Sequence, residues 1–429
     1  MTLPNTTPIP AEPIPAEFNA YWDRAQSPAV QRLRNAVRRV AGFDLLPDDE
    51  HLMQLAHGYY DADPVAEAFV DEVYLARGAK EGRRLLDHAI EHGVHAVPDA
   101  PASMGRLFEE FEQDPVWLDL GEVERGARAF RRFGPSVFSF AGVETLLAYT
   151  ENSVVQPLLL TGEYAGNTAL KRFMETARFW IDVSEPGGLA SGSPGRATAM
   201  RVRVMHVFIR RHLSEHEDWD ADAWGVPISQ SDALTTLLAG CFTPGLAMHL
   251  LGYRSTGDDM RAMMHFWRYV GHLMGVQPRW YPQTLREATQ VMAAVLLKKT
   301  NGALADGAEL IESYPRAFTP KPGTPWRKRV RDEVNYRVQL GYTRYFLPGP
   351  FYRRYDLPNP WPWALLVGLQ VPLTLPVDLL AHRVPAVARA QDRYARWRRA
   401  TWFANEMGNQ QAEFKAVEQF RRRGLAVVR

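Results

Sequence analysis

The chain contains one cysteine, Cys241, among its 429 residues. A single thiol excludes an intrachain disulfide, a cysteine-based zinc or iron–sulfur site, and the covalent attachment of a c-type haem. Any haem would therefore have to be held non-covalently. Cys241 lies in the apolar stretch 237–242, which favours an inert packing role. We expect a reducing compartment and a cytoplasmic location, with membrane association as a further expectation.

The chain also lacks an excess of charge and a long unbroken hydrophobic run. Lys and Arg number 50 and Asp and Glu 49, so no basic face for nucleic acid is expected. The longest uncharged run, 357–377, contains five prolines, whereas a spanning helix needs about 20 apolar residues. The run predicts interior packing or a peripheral membrane contact. Residues 1–17 carry five prolines and no signal-peptide pattern, which predicts a disordered arm.

Alternating β-strand patterns are scarce, and helical periodicity covers most of the chain between residues 17 and 400. Asp63-Pro64 predicts one helix start, and Thr284 with Glu287 predicts a capping box. No linker-like stretch divides the sequence. We therefore predict an all-α fold with one large helical domain at 18–400, followed by a charged helical tail at 401–429.

Two amphipathic patterns, around 167–184 and 194–217, flank a loop rich in Gly, Pro and Ser. The short loop predicts that the two helices are antiparallel neighbours. His206 lies beside the apolar face of the second helix, with Arg203 one turn earlier. His206 is either a core histidine with a satisfied hydrogen bond or a haem-iron ligand.

The first helix places Arg172, Glu175 and Thr176 at i, i+3 and i+4 on one face. An arginine, a carboxylate and a hydroxyl are costly to bury unless they are paired or used. The alternative is an Arg172–Glu175 ion pair on a solvated surface, which would contribute little to stability. Spacing alone does not separate these interpretations.

The motifs at 172–176 and 203–206, separated by the Gly/Pro-rich loop, resemble the latex clearing protein and MpaB-type oxygenase family. A second stretch that fits the family is 264–275, and the resemblance covers roughly 110–300. It implies an all-helical fold with a globin-like core around one non-covalent haem b. It also implies O2-dependent cleavage or oxidation of a C=C bond, as in a dioxygenase, in a hydrophobic, isoprenoid-like substrate.

The resemblance assigns the iron-binding histidine to His206 and the distal arginine and threonine to Arg172 and Thr176. The rubber-cleaving members carry a lysine directly before that threonine, and this chain has Glu175 there. A carboxylate cannot replace a lysine amine over the iron, although it could act as a base. Glu175 therefore argues for a lipid-like or other hydrophobic substrate different from polyisoprene.

Further candidates accompany these residues. Arg203 and Arg268 are predicted to contact the cofactor, with Arg268 the better partner for a propionate because a guanidinium fork matches a carboxylate. Histidines 265 and 272 could line the haem edge or be satisfied locally. Glu144 and Glu151 are candidates for a base that takes an allylic proton, with solvated helix carboxylates as the alternative.

Two other functions stay open on the sequence. His88 and His92 are spaced i, i+4 and could chelate a metal in a non-haem enzyme, although Gly93 is predicted to end their helix. The chain could also be a haem- or lipid-binding carrier without turnover. Oxygen consumption with an isoprenoid substrate separates the carrier from the enzyme.

Overall fold

The computed structural model describes residues 12–161, 169–302 and 307–407. Helices account for most of these residues, and none of the described residues lies in a strand. The predicted all-α fold with a single helical domain is confirmed. Residues 1–11 of the predicted arm and 408–429 of the predicted tail lie outside the described residues.

The helices follow one another closely along the chain. In order, the α-helices are α1 Asn19–Ala25, α2 Pro28–Ala41, α3 Asp49–His57, α4 Pro64–Phe69, α5 Ala79–His92, α6 Ala102–Glu112, α7 Leu120–Arg131, α8 Ser136–Ala148, α9 Asn152–Thr161, α10 Ala169–Ser184, α11 Pro194–Ser214, α12 Ala221–Trp224, α13 Gln230–Ala247, α14 Gly257–Leu273, α15 Leu285–Lys298, α16 Ala308–Arg316, α17 Trp326–Phe346, α18 Gly349–Tyr352, α19 Trp361–Gly368, α20 Val371–Ala381 and α21 Pro385–Met407. Short 3-10 segments occupy Ala16–Phe18, Val94–Ala96 and Met248–Leu251, and a π-helical segment follows α4 at Val70–Leu75.

The centre of the molecule is the pair α7 and α14, which pack against each other along most of their length. The helices come close enough that a Cβ on Gly126 would overlap the Ala262 carbonyl and lie 2.7 Å from the Phe266 Cβ. Phe130 of α7 packs edge-on against Trp267 of α14, and both contact Trp180 of α10. This aromatic cluster joins α10 to the central pair.

The first described residues are fastened to the rest of the fold. Glu12 forms an ion pair with Arg279, and Phe18 packs edge-on against Tyr59 in the core. At the other end, α21 crosses the boundary placed at residue 400 and packs on α10 and α20.

Two helical segments are long and apolar enough to cross a membrane by length and composition. Gln230–Leu251 is a core segment, and 56% of its apolar window is buried in the fold. Trp361–Ala381, which contains α19 and α20, has a mean hydropathy of 1.8, but only 17% of that window is buried. The second segment overlaps the proline-containing run 357–377, and most of it is on the surface rather than in the interior.

Candidate functional site

The turn between α10 and α11 is built by residues that break a helix and start another. The Ser193 side chain accepts a hydrogen bond from the Arg196 amide and donates one to the Gly188 carbonyl at 2.6 Å. Pro194 occupies the first helical turn, where its missing N–H costs nothing. Gly195 has no room for a Cβ, which would overlap the Gly188 carbonyl. The two helices pack against each other, as predicted.

His206 lies in the middle of α11, and no described residue forms a hydrogen bond with its ring. Burial lowers the pKa of the imidazole to about 4, and the nearby Arg210 guanidinium acts in the same direction. The ring is therefore neutral at pH 7, the form that binds a metal. The residue as a whole is partly exposed. No hydrogen bond among the described residues matches the interpretation as a satisfied core histidine, and iron binding by His206 stays a prediction.

Arg172 and Glu175 form the ion pair expected from their spacing, with Nη1 2.7 Å from Oε2. The pair is shielded, because the two side chains are only 14% and 4% exposed. It therefore differs from the solvated surface pair that was the alternative. Thr176 is exposed, and its hydroxyl donates to the Arg172 carbonyl at 3.3 Å.

Arg203 is buried in a network of carboxylates. It forms a two-pronged contact with Asp63, with N–O distances of 2.7 and 2.9 Å, and its Nη2 lies 2.6 Å from Glu110. The predicted contact between Arg203 and a cofactor stays a prediction, but all of these guanidinium contacts go to α6 and to the start of α4.

Arg203 belongs to a stripe of three buried arginines that was not predicted from the sequence. Arg196 donates to the Tyr269 hydroxyl at 2.7 Å and the Phe111 carbonyl at 2.8 Å. Arg210 donates to the Pro227 and Ile228 carbonyls. The seven-residue spacing of these arginines was the signal, because positions two turns apart share one face of a helix. The stripe fixes the orientation of α11 and hence of His206.

Arg268 on α14 lies between two aromatic rings. Its guanidinium carbon is 4.0 Å from the centre of the Trp117 ring and 4.9 Å from that of Tyr281. It donates to Gln283, and no described carboxylate pairs with it. Of the two arginines predicted to contact a cofactor, Arg268 is the one that remains available to a propionate.

Histidines 265 and 272 lie on the same side of α14 and contact the Trp117 ring edge-on. His265 accepts from the Asp119 amide at 3.1 Å, and a ring nitrogen of His272 is 3.2 Å from the Gln113 carbonyl. Both rings have local partners, which matches the alternative of local satisfaction.

The two candidate bases lie in different surroundings. Burial raises the pKa of Glu144 to about 8, and a hydrogen bond with Thr243 opposes the shift. Burial also raises the pKa of Glu151, and the nearby Lys298 and Lys299 lower it. Neither carboxylate is the solvated helix residue that was the alternative.

The structure does not assemble a metal site around His88 and His92. Their rings are 4.7 Å apart, but Nε2 of His88 is 3.1 Å from the Ala96 carbonyl. Gly93 ends the helix with a φ of 85°, as predicted. Within residues 12–161, 169–302 and 307–407, no group of three or more His, Cys, Asp or Glu side chains could hold a metal ion.

Comparison with known proteins identifies a matching family and a similar fold. The family model described as "ER-bound oxygenase mpaB/B'/Rubber oxygenase, catalytic domain" matches residues 127–371. The rubber oxygenase of Streptomyces sp. (strain K30) is 25% identical over 241 residues, which is 55% of this chain. The match spans 57% of that relative's length.

A solved structure titled "Structure of Latex Clearing Protein LCP in the closed state" superposes with a TM-score of 0.54. It is 20% identical and covers 84% of this chain and 93% of its own. This structural similarity shows that the two chains share a fold. The region matched by the family model contains His206, Arg172 and Arg268, whereas His88 and His92 precede it.

Proposed function

Because the chain belongs to the family of the MpaB and rubber oxygenase catalytic domains, we propose that it is an oxygenase that uses haem b and O2. The proposed reaction is cleavage or oxidation of a C=C bond, of the dioxygenase type, in a hydrophobic, isoprenoid-like molecule. The observation that carries the proposal is His206, a partly exposed residue whose imidazole is neutral and has no hydrogen-bond partner among the described residues.

Several features of the described residues support the proposal of a non-covalently bound haem. A neutral imidazole is the ligand that a haem iron takes from histidine. The Arg196, Arg203 and Arg210 contacts hold α11 in place, so His206 is presented by a rigid helix. Arg268 would hold a propionate. When bound, haem b supplies the one-electron and O2 chemistry that no side chain provides.

The Arg172–Glu175 pair is the feature of the proposed site that bears on substrate choice. Glu175 fixes the Arg172 guanidinium and offsets its charge, so Arg172 would act as an oriented hydrogen-bond donor. The family resemblance places a lysine at this position in rubber-cleaving members. We infer that this chain acts on an isoprenoid-like substrate other than the polyisoprene cleaved by those members.

Glu144 is the better of the two candidate bases. A general base works best when its pKa lies near the operating pH, and the Glu144 pKa of about 8 meets that condition. Glu151 lies near two lysines, and their positive charges favour its ionised form. Glu144 would therefore exchange an allylic proton at its carboxylate.

The test compares absorption spectra of the protein purified from haem-supplied cells with those of two variants. We expect a Soret band in the wild type that is lost or shifted in His206→Ala. The band should persist in His212→Ala, a matched change on the same helix. Wild-type protein with haem should then consume O2 in the presence of squalene, a water-insoluble isoprenoid alkene.

Two results would contradict the proposal. A colourless wild-type protein that cannot be reconstituted with haem would exclude the cofactor and return attention to His88 and His92. A Soret band without O2 consumption on squalene or other isoprenoid alkenes would exclude the oxygenase and leave a haem-binding carrier.

A further inference from the structure

Helices α19 and α20 expose an apolar surface, which we call the α19–α20 face. Leu369 and Leu373 at its centre are 64% and 76% exposed. The exposed members of the face are Trp361, Leu365, Leu366, Leu369, Leu373, Val377, Leu379 and Leu380. Contiguous apolar surfaces of this kind mark places where another apolar phase or partner binds.

The polarity of this segment is the reverse of that of an ordinary surface helix. Asp378 is the only charged residue between positions 361 and 381, and it is fully buried. It accepts hydrogen bonds from the Arg254 amide at 2.7 Å and Gln391 at 3.0 Å, and Arg132 lies 3.2 Å away. A segment that buries its charge and exposes its leucines is suited to an apolar medium outside the protein.

Both helices lie along the protein surface rather than project from it. A Cβ on Gly368 would be 3.3 Å from the Tyr345 ring of α17, and a Cβ on Gly252 would be 3.0 Å from the backbone nitrogen of Leu375 in α20. Proline occurs in both helices. A segment held flat in this manner can enter one leaflet of a bilayer to a shallow depth.

Basic residues border the face at both ends. Arg353 and Arg354 precede it and Arg383 follows it, and all three are exposed. Arg344 stacks on the ring of Trp361 at 5.5 Å. The nearby acid, Asp356, is paired with Arg316 at 3.1 Å. Arginines around an apolar surface that carries a tryptophan complement anionic lipid headgroups.

We propose that the α19–α20 face docks on the surface of an anionic lipid bilayer. Leu246 and Leu250 continue the face onto the end of α13, since both are more than half exposed and Tyr345 bonds the Leu250 carbonyl. The proposal does not depend on haem or on turnover, so it stands or falls separately from the oxygenase.

Charge disfavours two other occupants. A two-fold contact with a second copy would bring arginines of one copy close to arginines of the other, because the face is bordered by arginines at both ends. Residues 408–429 of this chain carry five basic side chains against two acidic ones, so they too would be repelled. An anionic bilayer is the occupant that can both bury the exposed leucines in its apolar interior and pair its headgroups with the arginines.

The experiment is flotation of the full chain with phosphatidylcholine vesicles that contain phosphatidylserine. We expect the wild type to float with these vesicles, less so in high salt or with phosphatidylcholine alone. Leu369→Glu/Leu373→Glu should reduce the bound fraction at least about tenfold, because two leucines leave the apolar phase and two charges repel the headgroups.

The matched control is Leu33→Glu/Val40→Glu on α2, where both residues are exposed at a distant place in the chain. It should bind vesicles like the wild type, and circular dichroism should show that both doubles are folded. The proposal is overturned if the wild type does not float, or if the two doubles lose binding equally. It is also overturned if the wild type is a dimer that the Leu369→Glu/Leu373→Glu variant dissociates, or if removal of residues 408–429 is needed before the face binds lipid.

Discussion

At the scale of single residues, the carboxylate of Asp63 has two functions. One oxygen caps α4 by accepting the Ala66 amide at 3.1 Å, and both oxygens hold Arg203. The Asp-Pro pair predicted the start of α4 correctly, because that capping interaction is local. The contact with Arg203 could not be predicted, since 140 positions separate the two residues.

The buried network around Arg203 leads to a prediction about stability. Arg203→Ala would leave the Asp63 and Glu110 carboxylates without their partner, and the loss of one member of a buried ion pair costs about 3–5 kcal/mol. Arg211→Ala on the same helix breaks an exposed pair with Asp71 and should cost less than about 1 kcal/mol. Urea unfolding followed by circular dichroism measures both.

Equal losses for the two variants would mean that the Arg203 network is solvated. In that case the orientation of α11, and with it that of His206, would depend on apolar packing instead. An Arg203→Met variant separates loss of charge from loss of side-chain volume, because methionine keeps much of the packing.

At the scale of helices, the sequence predicted the α10–loop–α11 unit because its signals are local, namely helix-breaking residues between two amphipathic patterns. The capping box at Thr284 was half correct. Thr284 accepts from the Glu287 amide, but Glu287 accepts from the amide of Gln283 instead of completing the box. Among the described helices, α14 carries the complete box, between Thr256 and Asp259.

The site itself could be predicted only in part from the sequence. Spacing gave the Arg172–Glu175 pair, since positions i and i+3 meet on any helix. Whether that pair faces water or the interior depends on helices from distant parts of the chain. The same is true of Arg268, whose neighbours Trp117 and Tyr281 come from two separate segments.

The close contact between α7 and α14 gives a prediction with a matched control. Gly126→Ala places a methyl group on the Ala262 carbonyl and should destabilise the protein by about 1–3 kcal/mol. Gly105→Ala on α6 meets open space and should stabilise it by about 0.5–1 kcal/mol, because alanine is the better helix former. The measurement is the free energy of unfolding in urea.

The two variants are expected to change the free energy of unfolding in opposite directions, so the comparison gives a clear answer. If Gly126→Ala is neutral, then α7 and α14 can separate without loss, and they are not the rigid centre of the fold.

At the scale of the whole molecule, the fold exceeds the region matched by the family. That region begins at residue 127 and ends at 371. Yet the buried arginines inside it take partners from both sides: Asp63 and Glu110 hold Arg203, and Asp392 holds Arg131 at 2.8 Å. One hydrophobic core runs from Phe18 to helices near the C-terminus. We therefore expect the chain to unfold as one cooperative unit, with the proposed site dependent on contacts from both sides of the matched region.

This shared interior also sets how stability depends on pH. Burial raises the pKa of Glu144 from its usual 4.5 to about 8 and that of Glu406 to about 7. The folded protein therefore keeps protons that the unfolded chain releases above pH 4.5. Stability from these groups is full at low pH and is lost as pH rises through the folded pKa values. Burial lowers the pKa of His265 and His272. These two groups make stability increase with pH, but only at or below the usual histidine pKa.

We therefore expect the free energy of unfolding to fall as pH rises from neutrality to about 8, the pKa of Glu144, and to level off above it. Glu144→Gln removes the titrating proton and should flatten this fall, whereas the exposed Glu109→Gln should follow the wild type. Urea titrations at a series of pH values on both sides of the Glu144 pKa measure the slopes. If Glu144→Gln keeps the wild-type slope, Glu144 is charged in the folded protein, and its carboxylate must then be solvated or paired with a cation rather than held in an apolar interior.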